Sequence, residues 1–276
     1  MDKVFLFGEK NNLVGIFSEP DNVQKNHDKP LILILNAGLV HRPGPLRMNK
    51  EFSLYLAEQG FSSFRFDLSG IGDSEKDGAN NQSFSERNIS DVGEALELIK
   101  DKVSPSKIIV MGLCTGADLA HRVAVKYTDI SGSIMLDGYG YPTQRFYLKR
   151  YMPILLSPLR MFKIAVKLLS KLLPAKKSIT TKESGADAYY WELPVKKHYI
   201  DDMELQHKRG NKHLYVYTRA VREYYNYEGQ FVDNFASHDF CSSVEIKYFT
   251  YADHIYAVLS HRKQLFDACL DWIKRF

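Results

Sequence analysis

Uninterrupted apolar runs constrain this chain most. Leu31, Ile32, Leu33, Ile34 and Leu35 follow one another without a polar side chain. A strand with one wet face alternates apolar and polar residues, so a continuous run reads as a strand buried on both faces, the signature of a parallel sheet. Strand-like segments recur at residues 61–66, 108–111 and 133–136, separated by helix-like stretches at 50–59, 85–100 and 117–127. This alternation predicts βαβ units with right-handed crossovers. Ahead of them, residues 4–8 and 13–18 flank Glu9-Lys10-Asn11-Asn12, which predicts a hairpin. Further strands are expected at 213–217 and 244–249, and a closing helix over 255–275.

The pattern breaks in the middle. Residues 138–182 contain no Asp or Glu but ten Lys or Arg. Within them Leu155, Leu159, Phe162, Val166, Leu169 and Leu173 step by three and four, one face of a helix, with Lys163, Lys167 and Lys171 on a neighbouring face and Pro158 and Pro174 as brackets. The chain therefore divides into an α/β core at 1–140 and 213–276 and a helical insertion at 141–212. With 276 residues, one large domain carrying an insertion is the expected organisation.

Composition removes several function classes. A net charge of +4 is too small for this length to argue for nucleic-acid binding. The three cysteines, Cys114, Cys241 and Cys269, are too few and too scattered for a disulfide framework or a zinc site, so neither metal nor cofactor is expected. The N-terminus lacks a basic segment followed by a long apolar one, and no apolar run reaches the roughly 20 residues of a membrane span. A cytoplasmic, reduced protein is the expectation.

Gly112-Leu113-Cys114-Thr115-Gly116 joins a buried strand to a helix, with glycines two residues on either side of a nucleophilic side chain. A turn that tight leaves no room for neighbouring side chains, and it is the strand–turn–helix setting of a nucleophile elbow. An ordinary glycine-bounded turn with a buried cysteine has the same local sequence, so the remaining chain decides. His254 lies in a loop between the last strand and the closing helix, where it can reach over the carboxyl edge of a parallel sheet. The loop Asn36-Ala37-Gly38-Leu39-Val40-His41-Arg42-Pro43-Gly44-Pro45 follows a buried strand and can supply one backbone N–H to an oxyanion, from Gly38 or Leu39, with a second from Thr115. Asp67-Leu68-Ser69-Gly70-Ile71-Gly72-Asp73-Ser74 follows the next strand and reads as a turn with capping groups.

In this order, the motifs resemble the α/β-hydrolase family over essentially the whole chain outside the insertion. The resemblance implies a mostly parallel sheet flanked by helices, with the insertion as a lid. It implies Cys114 as nucleophile, His254 as base and a carboxylate that orients the base. Cysteine in place of serine resembles the dienelactone hydrolase branch, and the His41–Pro45 loop with the Asp67–Ser74 loop looks like bacterial hydrolases of biosynthetic gene clusters. The family usually places the acid after the strand at 213–217. That loop holds Glu223 and no aspartate, so Glu223 is the first choice and Asp137, directly after the strand at 133–136, the alternative. His41, Arg42, Tyr139 and Tyr141 are expected to contact substrate.

A thiol beside an imidazole at a helix N-terminus is the environment that yields a thiolate–imidazolium pair. Attack on an acyl ester, thioester or lactone gives a thioester, which water hydrolyses or another acceptor intercepts. A hydrolase is the first expectation, an acyltransferase using a coenzyme A or carrier-protein thioester the second, and a non-catalytic binding protein of the same fold the third. The lysine-rich insertion is compatible with an acyl channel, an acidic carrier partner or a membrane surface. Oligomeric state is not encoded in any motif.

Overall fold

The computed structural model describes residues 2–21, 29–76, 83–157 and 193–276. Among these residues eight strands form one sheet in the order β1-β2-β4-β3-β5-β6-β7-β8. They are β1 Asp2–Phe7, β2 Leu13–Ser18, β3 Leu31–Ile34, β4 Ser63–Phe66, β5 Ile108–Leu113, β6 Ile130–Leu136, β7 Lys212–Thr218 and β8 Val244–Phe249. The hairpin pairs antiparallel and joins the sheet antiparallel at β4, while β4-β3-β5-β6-β7-β8 are parallel throughout. The expected mainly parallel α/β sheet is thus present: an α/β-hydrolase fold, with the helices described below.

Among the described residues seven α-helices flank it: α1 Met48–Glu58, α2 Phe84–Lys102, α3 Thr115–Lys126, α4 Gln144–Leu155, α5 Lys196–Lys208, α6 Gln230–Phe235 and α7 Leu259–Ile273. The continuous apolar strands feed two cores at once. Leu31, Leu33, Ile108 and Val110 point to the face covered by α2, α3 and α5, where Val92, Ala120 and Met203 are buried. Ile32, Ile34, Ile109 and Met111 point to the face covered by α1 and α7, with Phe52, Leu56, Phe266 and Cys269. Because successive strand side chains alternate faces, every residue of such a strand must be apolar. The closing helix starts at Leu259 rather than 255 because Asp253 accepts hydrogen bonds from the backbone N–H of Ile255 and Ala257, which holds residues 253–257 in a turn.

The Asp67–Ser74 loop and the Asn36–Pro45 loop are braced against each other. Asp67 is fully buried and accepts from the Arg42 guanidinium, the Arg42 backbone N–H at 2.5 Å and the Asp73 backbone N–H at 3.0 Å. Asn36 completes the brace: its Oδ1 accepts from Leu68 N–H at 3.1 Å and its Nδ2 donates to Val40 O at 2.9 Å. Four donors around one carboxylate, with Asn36 Nδ2 the fourth at 3.5 Å, satisfy a charge that would be costly to bury alone. Gly72, at φ +56°, is required there, since a Cβ would lie 2.2 Å from Asp67 Oδ2.

The apolar and lysine periodicity at 159–173 lies outside the described residues. Of the stretch read as an insertion, α4 and α5 are described, and neither they nor any other described helix is long and apolar enough to cross a membrane.

The tightness of the elbow is measurable. A Cβ on Gly112 would lie 2.0 Å from Gly116 O, and backbone cannot swing aside as a side chain can. Gly112→Ala is expected to cost about 3 kcal/mol, the upper range for overpacking. Gly210→Ala, where φ is +80° and nothing lies within 4 Å of the added Cβ, should cost only about 1 kcal/mol for the left-handed backbone. Thermal denaturation of both variants checks the difference.

Candidate active site

β5 and α3 meet at Cys114, whose backbone adopts φ 57° and ψ −119°. For a residue with a Cβ this is a strained conformation worth about 1–3 kcal/mol, tolerated only where surroundings over-determine it. Here Cys114 N–H is held by Leu136 O at 2.8 Å and Cys114 O by Ala117 N–H at 2.8 Å. Gly116 lets the start of α3 press against the chain leaving β3, since its Cβ would lie 2.4 Å from Asn36 O. The kink lifts the thiol off the strand, and Cys114 is half-buried at the head of α3.

His254 faces that thiol. Its Nδ1–H donates to Asp137 Oδ2 at 2.7 Å, and the Cys114 side chain lies near enough to raise the pKa of the imidazole. Asp137 is 1 % exposed and stands at φ 50° immediately after β6. Thr218, the last residue of β7, gives it two further donors, the backbone N–H and Oγ1–H, each at 2.7 Å. Tyr224 Oη–H donates to the Asp137 backbone carbonyl at 3.0 Å. The hydrogen bond to Asp137, then the nearby Cys114 side chain, raise the pKa of His254 to about 10 against the opposing effect of burial. Imidazole and carboxylate are thus hydrogen-bonded with the thiol beside the ring, the grouping that activates a nucleophile through an oriented base.

Residues 46–227 match the model of the family described as serine aminopeptidase, S33. The chain belongs to that family of hydrolases. No curated protein sequence matches it. Among solved structures it is similar to an esterase of Pyrococcus furiosus (13 % identity, 100 % of this chain and 91 % of that one, TM-score 0.60). It is also similar to a proline iminopeptidase of Mycobacterium smegmatis (12 %, 100 % and 98 %, TM-score 0.58). A third is a protein of unknown function from Agrobacterium tumefaciens described as a putative α/β hydrolase (14 %, 100 % and 95 %, TM-score 0.54). At these identities the likeness concerns the fold. The family is named for serine enzymes, whereas this member carries cysteine at the elbow.

Other sequence-predicted residues are distributed unevenly around this S33 centre. Glu223, the first choice for the acid, is not at His254. Its side chain is 66 % exposed and pairs with Arg150 of α4. The carboxylate on the imidazole belongs to Asp137, because β6 ends beside the elbow strand β5 whereas Glu223 lies beyond the short turn after β7. Arg42 is likewise no free substrate contact: its guanidinium is engaged by Asp67 and Asp73 and braces the loop. His41 and Leu39 are exposed, and Tyr139 and Tyr141 are buried, with Tyr141 Oη–H donating to Pro194 O at 2.9 Å. Gly38, at φ +58°, donates its N–H to Thr115 Oγ1 at 2.8 Å, so the two expected oxyanion contributors lie next to each other. Among the described residues no cluster of His, Cys, Asp and Glu has the makings of a metal site. Sequence reasoning missed Thr218 and Tyr224. The available signal for Thr218 was a hydroxyl ending an otherwise apolar strand beside the one carrying Asp137.

Asp137→Asn preserves shape but removes the carboxylate that orients His254, and should slow alkylation of Cys114 by iodoacetamide at pH 7 about 10²-fold or more. Glu223→Gln should leave the rate unchanged, both read by intact mass. The raised pKa of His254 also has a stability consequence. A histidine whose folded pKa lies above its unfolded value stabilises fully below the unfolded pKa and loses that contribution as pH rises through about 10. The melting-temperature advantage of the parent over His254→Asn should therefore be largest near pH 6 and shrink towards pH 10.5.

Proposed function

We propose that this chain is a cysteine-nucleophile hydrolase of acyl esters or thioesters, working through a thioester on Cys114. The single observation that carries the reading is the buried Asp137 carboxylate that accepts from His254 Nδ1–H, with Cys114 at the elbow beside the same imidazole. The supporting strain at Cys114 is the kind that persists at functional positions.

In the forward step the sulfur attacks the acyl carbonyl as His254 holds the thiol proton. The carbonyl oxygen becomes negative beside the Thr115 N–H at the head of α3, where the helix dipole also favours an anion. Removal of one such donor typically costs about 3 kcal/mol. Collapse expels the alcohol or thiol, which takes the proton from His254, and leaves the acyl group on Cys114. Water then gives a proton back to His254 and attacks the thioester, releasing the acid and the free thiol. Asp137 remains ionised and keeps Nδ1 protonated, so that Nε2 is the nitrogen that exchanges protons. Gly38 contributes a second N–H only after it releases Thr115 Oγ1.

Incubation with aryl esters and acyl thioesters should give an intact-mass increase equal to the acyl group, mapped to Cys114 and absent in Cys114→Ala. Turnover should fall at least about 10³-fold in Cys114→Ala and in His254→Ala. Unchanged turnover in Cys114→Ala would overturn the reading. Adding an amine during turnover separates the two fates of the thioester: free acid accumulates in a hydrolase, the amide in an acyltransferase.

A further inference from the structure

The segment that carries His254 is short, strained and held from outside. Asp253 caps its first residues through the backbone N–H groups of Ile255 and Ala257. The chain then passes through Tyr256 at φ 51°, a left-handed value that costs energy for any residue with a Cβ. The Tyr256 ring is buried in the same core as Leu265 and Phe266 of α7. Its backbone carbonyl meets the guanidinium of Arg262, in the first turn of α7, whose Nε–H and Nη2–H donate to it at 3.1 and 3.0 Å.

Arg262 is 4 % exposed, and its place is unfavourable on two general grounds. A cation taken out of water loses its hydration, and one at the start of a helix opposes the helix dipole. Its remaining contacts show what offsets this. Nη1 donates to Leu46 O at 3.2 Å and to Glu51 Oε2 at 2.6 Å. Leu46 stands at φ 47° and Arg47 at φ 63°, in the turn that ends the loop carrying Gly38, and Glu51 lies in the first turn of α1. One planar fork therefore joins two left-handed residues, the first two positions after His254 and the second at the end of the Gly38 loop. An ammonium, a point charge on a flexible stem, would not fix the angle between them.

We infer that Arg262 is a positioning residue for His254: it pins the loop of the base to the Leu46 turn and to α1, and so keeps Nδ1–H on the Asp137 carboxylate. The inference rests on His254 serving Cys114 as proposed above. Strained backbone persists where its surroundings over-determine it, and here one buried side chain does so for two segments at once.

Alkylation of Cys114 by iodoacetamide at pH 7, followed by intact mass, tests it. Arg262→Met should slow the reaction about tenfold or more, because small displacements of a catalytic group are costly. The same change made in His254→Ala should alter the rate less than about twofold, since a residue that acts through the base then has nothing to act on. Glu51→Gln removes only the partly exposed counter-charge and should slow the parent about threefold; it decides the matter if Arg262→Met shows no cooperative melt. In Arg262→Ala, ethylguanidinium should recover part of the rate and ethylammonium none. With an acyl thioester the loss should fall on kcat and leave KM in place. An Arg262→Met protein as reactive as the parent, equal slowing with and without His254, or equal rescue by both cations overturns the inference. Where Glu51→Gln decides, unchanged reactivity overturns it. A parent that alkylates no faster than His254→Ala overturns the proposed function, and the inference with it.

Discussion

A carboxylate removed from water must be surrounded by donors, and the centre of this molecule is arranged to meet that demand at Asp137. Its three partners come from two elements far apart in sequence: the N–H and hydroxyl of Thr218 at the end of β7, and Nδ1–H of His254 in the loop before α7. The register β5-β6-β7 fixes where each arrives. Were β7 to slip against β6, the charge would lose two donors, and were the loop before α7 to open, it would lose the third. Burial of one charge therefore ties the C-terminal third of the chain to the elbow strand.

The parallel sheet, the hairpin ahead of it, the elbow and His254 were legible because each rests on local chemistry. Continuous apolar residues imply two-sided burial, and glycines two residues from Cys114 imply the clearances that Gly112 and Gly116 do show, 2.0 and 2.4 Å to backbone oxygens. The acid was not legible in the same way. Glu223 and Asp137 are both carboxylates in loops after strands, and what separates them is which strand lies beside β5 and how far each loop runs before the side chain appears. Sheet order is a tertiary property with no periodicity of its own. Arg42 illustrates the same limit: a cation in a loop near the site looks like a substrate contact until Asp67 and Asp73 are found in space around it.

The two buried carboxylates at the sheet edge, Asp67 and Asp137, do different work with similar means. Asp67 gathers backbone N–H groups and an arginine and holds two loops rigid. Asp137 gathers a threonine and an ionisable partner whose proton can leave. The difference lies in the partner. A guanidinium does not give up its proton, whereas an imidazole does, so the first makes a brace and the second can serve chemistry.

That Asp137 stands at the end of β6 has a consequence for which segments its carboxylate depends on. The connection from β7 to β8 carries Glu223, α6 and a run of packed aromatic side chains, and it touches Asp137 through Tyr224 at the backbone carbonyl, leaving the carboxylate to other elements. A change in that segment that spares Tyr224 leaves the Asp137 carboxylate its partners on β7 and in the loop before α7. The connection itself is rich in tyrosine and phenylalanine, and Arg150 of α4 holds it through Glu223.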